Sequence, residues 1–289
     1  MKTQVEKAGT LMGLLIEKYP DSPRTRIKKL LRSGAVRVND LQVTLHSYRL
    51  KPGDIVDINT HSVRDTAAYL PFPVLYEDHH VIVVDKPAGY PTSSTDGSKS
   101  IQMMVSEALK ERSKGKVRAF VVHRLDKEVS GVLLFAKTES AMEIIKEGWK
   151  ETEKHYFALV EGSPEKDEGT VESWLTEDSS QKVHSTRKSA KAKFSVTHYR
   201  KIKTAGSNTL LDVRTETGRK NQIRVHMSDL GCPIVGDRKY GASEEFKRRV
   251  RLHACSLSFP HPLTGQILTV KSGLPKGFLT LKPGNERYK

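Results

Sequence analysis

Cysteine is scarce in this chain of 289 residues: only Cys232 and Cys255 occur, and neither belongs to a C-x-x-C pair. That excludes a disulfide scaffold and the usual zinc-binding frameworks. No run of 18 or more apolar residues appears, so no segment reads as a membrane span. The opening residues Met1-Lys2-Thr3-Gln4-Val5-Glu6-Lys7 lack an apolar signal segment with a small-residue cleavage site. A nucleotide-cradling G-x-x-x-x-G-K-[ST] loop is missing too, as are low-complexity tracts and internal repeats. The expectation is a folded cytoplasmic protein, off the membrane and without metal or cofactor, and a monomer by default.

Acidic residues are also in short supply. Asp and Glu number 34 against 49 Lys and Arg, a net charge of +15, and the isoelectric point is near 9.7. Sustained positive charge concentrates polyanions and speeds their encounter, which points to nucleic acid as the partner. Charge alone suits DNA as well as RNA, and lysines that serve only solubility stay open as an alternative.

The first 60 residues read as a small α/β module. Leu11, Leu14, Leu15 and Ile16 give an apolar helical face, broken by Tyr19-Pro20-Asp21-Ser22-Pro23. A second helix follows, with Ile27, Leu30 and Leu31 on its apolar side and Arg24, Arg26, Lys28, Lys29 and Arg32 between them. Ser33-Gly34 is a helix stop, since glycine accepts the left-handed conformation at a helix end. Val36-Arg37-Val38 reads as a strand, Asn39-Asp40 as a turn, and Lys51-Pro52-Gly53-Asp54 as a turn before a strand from Ile55 to Ile58. The ordered set of basic helix, glycine stop, V-x-V-N strand and P-G-D turn, from Pro23 onward, resembles the S4 type of RNA-binding domain. That family's R-L-D helix opening is replaced by Gly9-Thr10-Leu11. The basic residues of the second helix are then candidate RNA contacts, the alternative being a solvated helix face.

Residues 61–73 read as a linker, and 74–289 as one larger domain. Strands are expected at Val81 to Asp85, Gly131 to Ala136, Tyr156 to Glu161, Leu210 to Val213 and Gln266 to Val270. Helices are expected at Ile101 to Lys110, Glu139 to Thr152 and Asn221 to Leu230. Ser140 and Glu143 are spaced for a capping box. Without a regular βαβ repeat, the fold class is α+β, with a mixed, largely antiparallel sheet flanked by helices.

The chemistry concentrates at Val122-His123-Arg124-Leu125-Asp126-Lys127-Glu128-Val129-Ser130-Gly131. Apolar flanks draw Asp126 inward, and a carboxylate there needs a partner cation. A structural ion pair with Arg124 and a functional carboxylate are both compatible with these residues. The segment resembles the H-R-L-D-x-x-T-S-G signature of the RluA-type pseudouridine synthases, with Val129 in the threonine position.

Four further stretches carry that resemblance. They are "DHHVIVVDKPAGYPT" (Asp78 to Thr92), "KHYFALVEG" (Lys154 to Gly162), "TGRKNQIRVHMSDLGCPIVGDRKYG" (Thr217 to Gly241) and "RLHACSLSFPHPLTG" (Arg251 to Gly265). Asn221 stands where histidine is common in the family. His253 and His261 lack partners for a metal site, which favours structural roles.

The resemblance implies an isomerase that converts uridine to pseudouridine in structured RNA after flipping the base out. Asp126 is the implied nucleophile, Arg224 its partner cation and Tyr156 the residue against the base. Arg124 is a candidate wedge or phosphate ligand. The Lys86-Pro87-Ala88-Gly89 turn is suited to buttress the Asp126 loop, and Lys86 itself is a further candidate RNA contact or an ordinary surface lysine. Ribosomal RNA is the expected substrate, with transfer RNA as the alternative. A binding protein without activity and a metal-dependent nuclease are the competing classes, and the second needs clustered acidic ligands that the motifs lack.

Overall fold

The computed structural model describes residues 2–32, 35–39, 41–43, 46, 48–58, 70–95, 97–243 and 249–280, without the side chains of residues 29, 32, 41, 42 and 205. The chain divides into two compact units, Met1–Pro73 with Val105–Arg118, and Val74–Met104 with Ala119–Lys289.

In the first unit, β1 (Lys2–Gln4) and β2 (Gly9–Thr10) precede α1 (Leu11–Lys18) and α2 (Arg24–Arg32). Then come β3 (Val36–Val38), β4 (Leu41–Gln42), β5 (Arg49–Leu50) and β6 (Ile55–Ile58). Four of these strands form a sheet in the order β1-β6-β3-β4. The sequence reading missed β1, a three-residue strand too short to show an alternation. Thr10 caps α1, its hydroxyl accepting from the Gly13 amide at 3.1 Å, a contact of about 1 kcal/mol. Leu11, Leu15, Ile27, Leu30 and Leu31 meet Val36, Val38, Val56 and Ile58 in one core.

The V-N and P-G-D signals act together. Asn39 takes the left-handed conformation (φ 49°). Its side chain donates to Asp54 Oδ1 at 2.9 Å and accepts from the Ile55 amide at 2.9 Å. The Ser33-Gly34 helix stop and Asp40 lie outside the described residues, as does most of the expected linker.

The second unit begins with β7 (Val74–Glu77) and β8 (Val81–Lys86), followed by α3 (Ile101–Arg112), which crosses the division between units. Then come β9 (Phe120–Val121), β10 (Ser130–Ala136), α4 (Glu139–Glu147), β11 (Glu153–Glu161), β12 (Glu168–Glu177), β13 (Val183–Thr186), β14 (Lys193–Ala205) and β15 (Asn208–Thr215). The last elements are α5 (Gln222–Asp229), β16 (Leu252–Pro260) and β17 (Ile267–Lys271).

Eleven strands form one sheet whose main path is β13-β12-β14-β15-β11-β16-β10-β8-β7. Among the described strands of this sheet only β10 and β16 pair in parallel. The architecture is α+β with a mixed, largely antiparallel sheet. Strands β8 and β10 are buried along almost their whole length, which explains why they read as continuous apolar runs instead of alternations. On one side Ala141 and Ile145 of α4 cover Val81, Val83, Val132 and Leu134.

The expected helix from Glu139 to Thr152 stops at Glu147 and continues as a 3-10 turn from Gly148 to Glu151. Its cap is Thr138, whose hydroxyl accepts from the Ala141 amide at 3.2 Å, not the expected Ser140 box. Strands β12 and β14 were not expected. Their burial is partial and charged residues interrupt the apolar pattern, so period-2 reasoning has little to grip.

At Gly131 (φ +116°) a β-carbon would lie 2.1 Å from the carbonyl oxygen of Ala254. Only glycine lets β10 and β16 approach there, directly after the loop that carries Asp126.

Candidate active site

Strand β9 folds back on β10 through antiparallel pairs, Val121 with Phe135 and Phe120 with Ala136, so residues 122–129 form the loop between them. Hydrogen bonds from the segment after β8 to the backbone of that loop fix it. The Thr92 hydroxyl donates to Leu125 O at 2.8 Å and accepts from Leu125 N at 3.0 Å. Gly89 N donates to Lys127 O at 2.7 Å.

Lys86 completes the clamp. Its Nζ donates to the carbonyl oxygens of Val129 at 2.6 Å, Pro87 at 3.2 Å and Lys127 at 3.3 Å. The side chain is fully buried. Lys86, read with the RNA contacts on sequence grounds, therefore faces the loop backbone and not the solvent. Burial pushes its pKa down to about 8, against the attraction of Asp126 and Glu128. Val129 is buried as well, a setting in which valine keeps the branched shape of threonine at no polar cost.

Arg224, on the first turn of α5, is the hub of the charges. Its Nε and Nη2 meet Asp237 at 2.6 and 2.8 Å, a two-pronged pair in which both residues are buried. Nη1 donates to Asn221 Oδ1 at 2.8 Å. The same Nη1 lies 3.7 Å from Asp126 Oδ2 and 3.6 Å from Glu128 Oε2. The guanidinium carbon is 5.0 Å from the centre of the Tyr240 ring.

Asn221 adopts the left-handed conformation (φ 55°) that asparagine tolerates. Its amide donates to the Tyr240 hydroxyl at 3.0 Å, so it ties Tyr240 to Arg224.

Desolvation holds the Asp126 carboxyl above its ordinary pKa, and Glu128 adds to the effect while Arg224 and Lys86 oppose it. The resemblance made Arg224 the partner cation of Asp126, which would favour the ionised form. Its sign is right, but it does not win. Arg224 already neutralises Asp237, so three carboxylates share the field of one guanidinium and one lysine.

Tyr156 sits on β11 between Val213 of β15 and Ala254 of β16, where β16 bulges past Cys255. Burial first, and then the charge of Asp126, raise its phenol pKa, which keeps the hydroxyl protonated. Asp126, Tyr156 and Arg224 all line a cleft of about 1090 Å³. At its side Trp149 stacks on His123 with ring centroids 5.0 Å apart. Lys154 Nζ lies 5.8 Å from the Trp149 ring. Burial and Lys154 push the His123 pKa down to about 3, so this histidine is neutral and its Nε2 accepts from Leu134 N at 3.0 Å. Arg124, Lys127, Arg219 and Lys220 are exposed on the lining.

Gln222, His253 and His261 of the motifs are engaged in hydrogen bonds within the fold. Gln222 holds the T-G-R turn to β14 by accepting from Thr217 Oγ1 (2.7 Å) and Arg219 N (3.0 Å) and donating to Val196 O and Thr197 Oγ1 (both 2.9 Å). His253 bonds Ser130 at 3.0 Å and Ser272 at 3.1 Å, and His261 bonds Asp78 at 2.7 Å. Among the described residues no group of three or more His, Cys, Asp or Glu is placed to hold a metal ion.

Arg24, Arg26 and Lys28 of α2 are exposed, with Ile27, Leu30 and Leu31 turned inward. The side chains of Lys29 and Arg32, the other two expected contacts, lie outside the described residues.

Sequence reasoning passed over Asp237, Tyr240, Thr92, Trp149 and Lys154. Asp237 carried a usable signal, a lone carboxylate after the apolar pair Ile234-Val235 and 13 residues beyond Arg224. Trp149 carried none, since a single tryptophan near a helix end reads as core.

The family described as RNA pseudouridylate synthase matches residues 80–229, and the S4 domain matches residues 14–56. The chain is 33% identical over 281 residues to ribosomal large subunit pseudouridine synthase C of Escherichia coli (strain K12), covering 88% of this chain and 86% of that one. It is 32% identical over 288 residues to ribosomal large subunit pseudouridine synthase D of Nitrosomonas europaea, covering 92% and 81%. Among solved structures, human RNA pseudouridylate synthase domain containing 4 superposes with a TM-score of 0.61 at 26% identity, covering 71% of this chain and 90% of that one.

Proposed function

The chain belongs to the RNA pseudouridylate synthase family, and from that premise we propose that Asp126 is its nucleophile and ribosomal large-subunit RNA its substrate. The reaction breaks the N1–C1′ bond of uridine and joins C5 of the same base to C1′. The C5 proton leaves to solvent and N1 gains one. Asp126 begins either by attacking C1′ or by removing the C2′ proton, and both routes start from the ionised carboxylate.

The observation that carries this reading is the position of Asp126. It lines the cleft on a loop clamped by Lys86, Gly89 and Thr92, with Arg224 Nη1 at 3.7 Å. A carboxylate poorly stabilised at rest gains more from reacting than one held by strong bonds, because less must be given up. Tyr156, protonated and on the same lining, is suited to stack on the detached uracil as it turns.

A uridine inside a stacked helix is out of reach, so the base flips out at about a few kcal/mol. Arg124, exposed at the cleft, fills the vacated position or holds its phosphate. Residues 1–60 act as a separate docking module, with Arg24, Arg26 and Lys28 on backbone phosphates. The names of the ribosomal large-subunit relatives and the S4 match support ribosomal RNA.

Tritium release from RNA labelled at C5 of uracil tests the reading, with RNA drawn from cells lacking the enzyme. Wild type should release tritium. Asp126→Asn should lose about 10⁴-fold or more in rate while its RNA affinity stays within about threefold, since phosphate contacts dominate affinity. Turnover by Asp126→Asn near the wild-type rate would remove the aspartate from the mechanism.

A further inference from the structure

Between Asp178 and Asp212 the chain contains no aspartate or glutamate, yet it carries eight lysines and arginines. This stretch forms β13 and β14, which flank β12 at one end of the large sheet. Ser173 of β12 and Ser195 of β14 face α5, each with its hydroxyl on His226 Nε2, at 2.9 and 3.2 Å. Their neighbours Trp174 and Phe194 therefore point to the opposite face.

Trp174 and Phe194 are direct cross-strand partners, with ring centroids 5.5 Å apart and planes tilted by 51°. Phe194 is 39% exposed. Lys188 Nζ stands 5.4 Å from the Trp174 ring centre. Arg219, which lines the cleft, donates Nε to the Phe194 carbonyl at 3.1 Å. One residue thus joins the cleft mouth to the aromatic pair.

A partly exposed aromatic pair beside a segment rich in lysine and arginine is a poor match for a protein surface of ordinary charge. It fits a polyanion that also offers flat apolar faces, which is an unpaired nucleotide strand. We propose that Trp174 and Phe194 form a stacking platform for an unpaired base of the substrate RNA that flanks the uridine in the cleft, with Lys188 and Arg219 on the adjoining phosphates. The flanking position rests on the reading of the Asp126 cleft as a uridine site. The platform itself rests on the aromatic pair and its charges.

Two measurements on the full chain test it. In the tritium assay, Trp174→Ala and Phe194→Ser should each raise KM about tenfold, the loss expected for one stacked base, with kcat unchanged. Trp174→Phe should restore most of the affinity, which a merely structural role would not distinguish so sharply. KM values equal to wild type in both variants overturn the proposal. If wild type releases no tritium, the cleft reading fails and the second measurement decides. The chain has two tryptophans, so in Trp149→Phe the remaining fluorescence belongs to Trp174. Titration with oligouridylate of about eight nucleotides, within the usual site size of such surfaces, should quench it. Absence of quenching then overturns the platform.

Discussion

Arg26 and Arg224 show how differently two parts of this molecule use the same side chain. Arg26 is exposed on α2, in a unit whose buried core is a cluster of Leu, Ile and Val. Arg224 is buried, with its guanidinium shared among Asp237, Asn221, Asp126 and Glu128. An exposed charge acts at long range, is screened by salt and tolerates imprecision. A buried one is costly to bring in and holds its neighbours to tenths of an ångström while it stays paired. In the proposed reading the N-terminal unit supplies grip and the cleft supplies position.

Substitution of Arg224 should break that contrast hardest. Arg224→Met leaves Asp237 buried without a cation, which should cost about 3–5 kcal/mol of stability in denaturant unfolding. Adding Asp237→Asn should recover much of the stability but none of the rate. Recovery of the rate would show that Arg224 serves only to hold Asp237. The same change removes a cation that lowers the Asp126 pKa, so the acid limb of the rate–pH profile should move to higher pH.

Lys86→Met comes next. The carbonyl of Val129 loses its donor, and about 1–3 kcal/mol should go with it. A loosened Asp126 loop should lower kcat by about tenfold or more, because reacting groups misplaced by an ångström lose rate steeply. A pH signature separates this from general damage. With a folded pKa near 8 against an ordinary value of 10.5, the folded state gives up this proton first. Between those values the unfolded chain binds more protons, so Lys86 makes stability rise with pH. Unfolding of the Lys86→Met protein followed across that range should lack the rise.

The smallest effect is expected in the N-terminal unit. Arg24→Ala with Arg26→Ala should leave kcat alone, raise KM on long RNA and reduce the salt slope by up to about 2. A short stem-loop should hardly respond. An equal loss on both substrates would erase the distinction between the docking unit and the cleft.

Much of the cleft was legible because its residues are adjacent in sequence or carried by motif spacing. Asn221 and Arg224 lie three apart and do meet, although Asn221 stands just before the helix in the left-handed conformation. The D-K-P-A-G turn was readable as a buttress of the Asp126 loop, and the bonds from Lys86, Gly89 and Thr92 make it one. Lys86 was misjudged because lysine is rarely buried, and no local pattern announces three carbonyl groups converging from elsewhere. Strands β12 and β14 escaped notice because their faces are half-solvated and interrupted by charge, glutamates on β12 and lysines and an arginine on β14, and the platform proposed on them went unseen with them.

The sequence by itself determined the family, the α+β class, the basic character and the identity of the loop that carries Asp126. The charge and the fold class follow from composition and periodicity, and the family and its loop from the resemblance carried by motifs over short spans. Only the tertiary structure decided where the charges balance. Asp237 claims Arg224, Asp126 is left above its ordinary pKa, and Lys86 becomes a clamp. Electrostatic energies depend on distance and desolvation in three dimensions, and the chain brings those distances about only by folding.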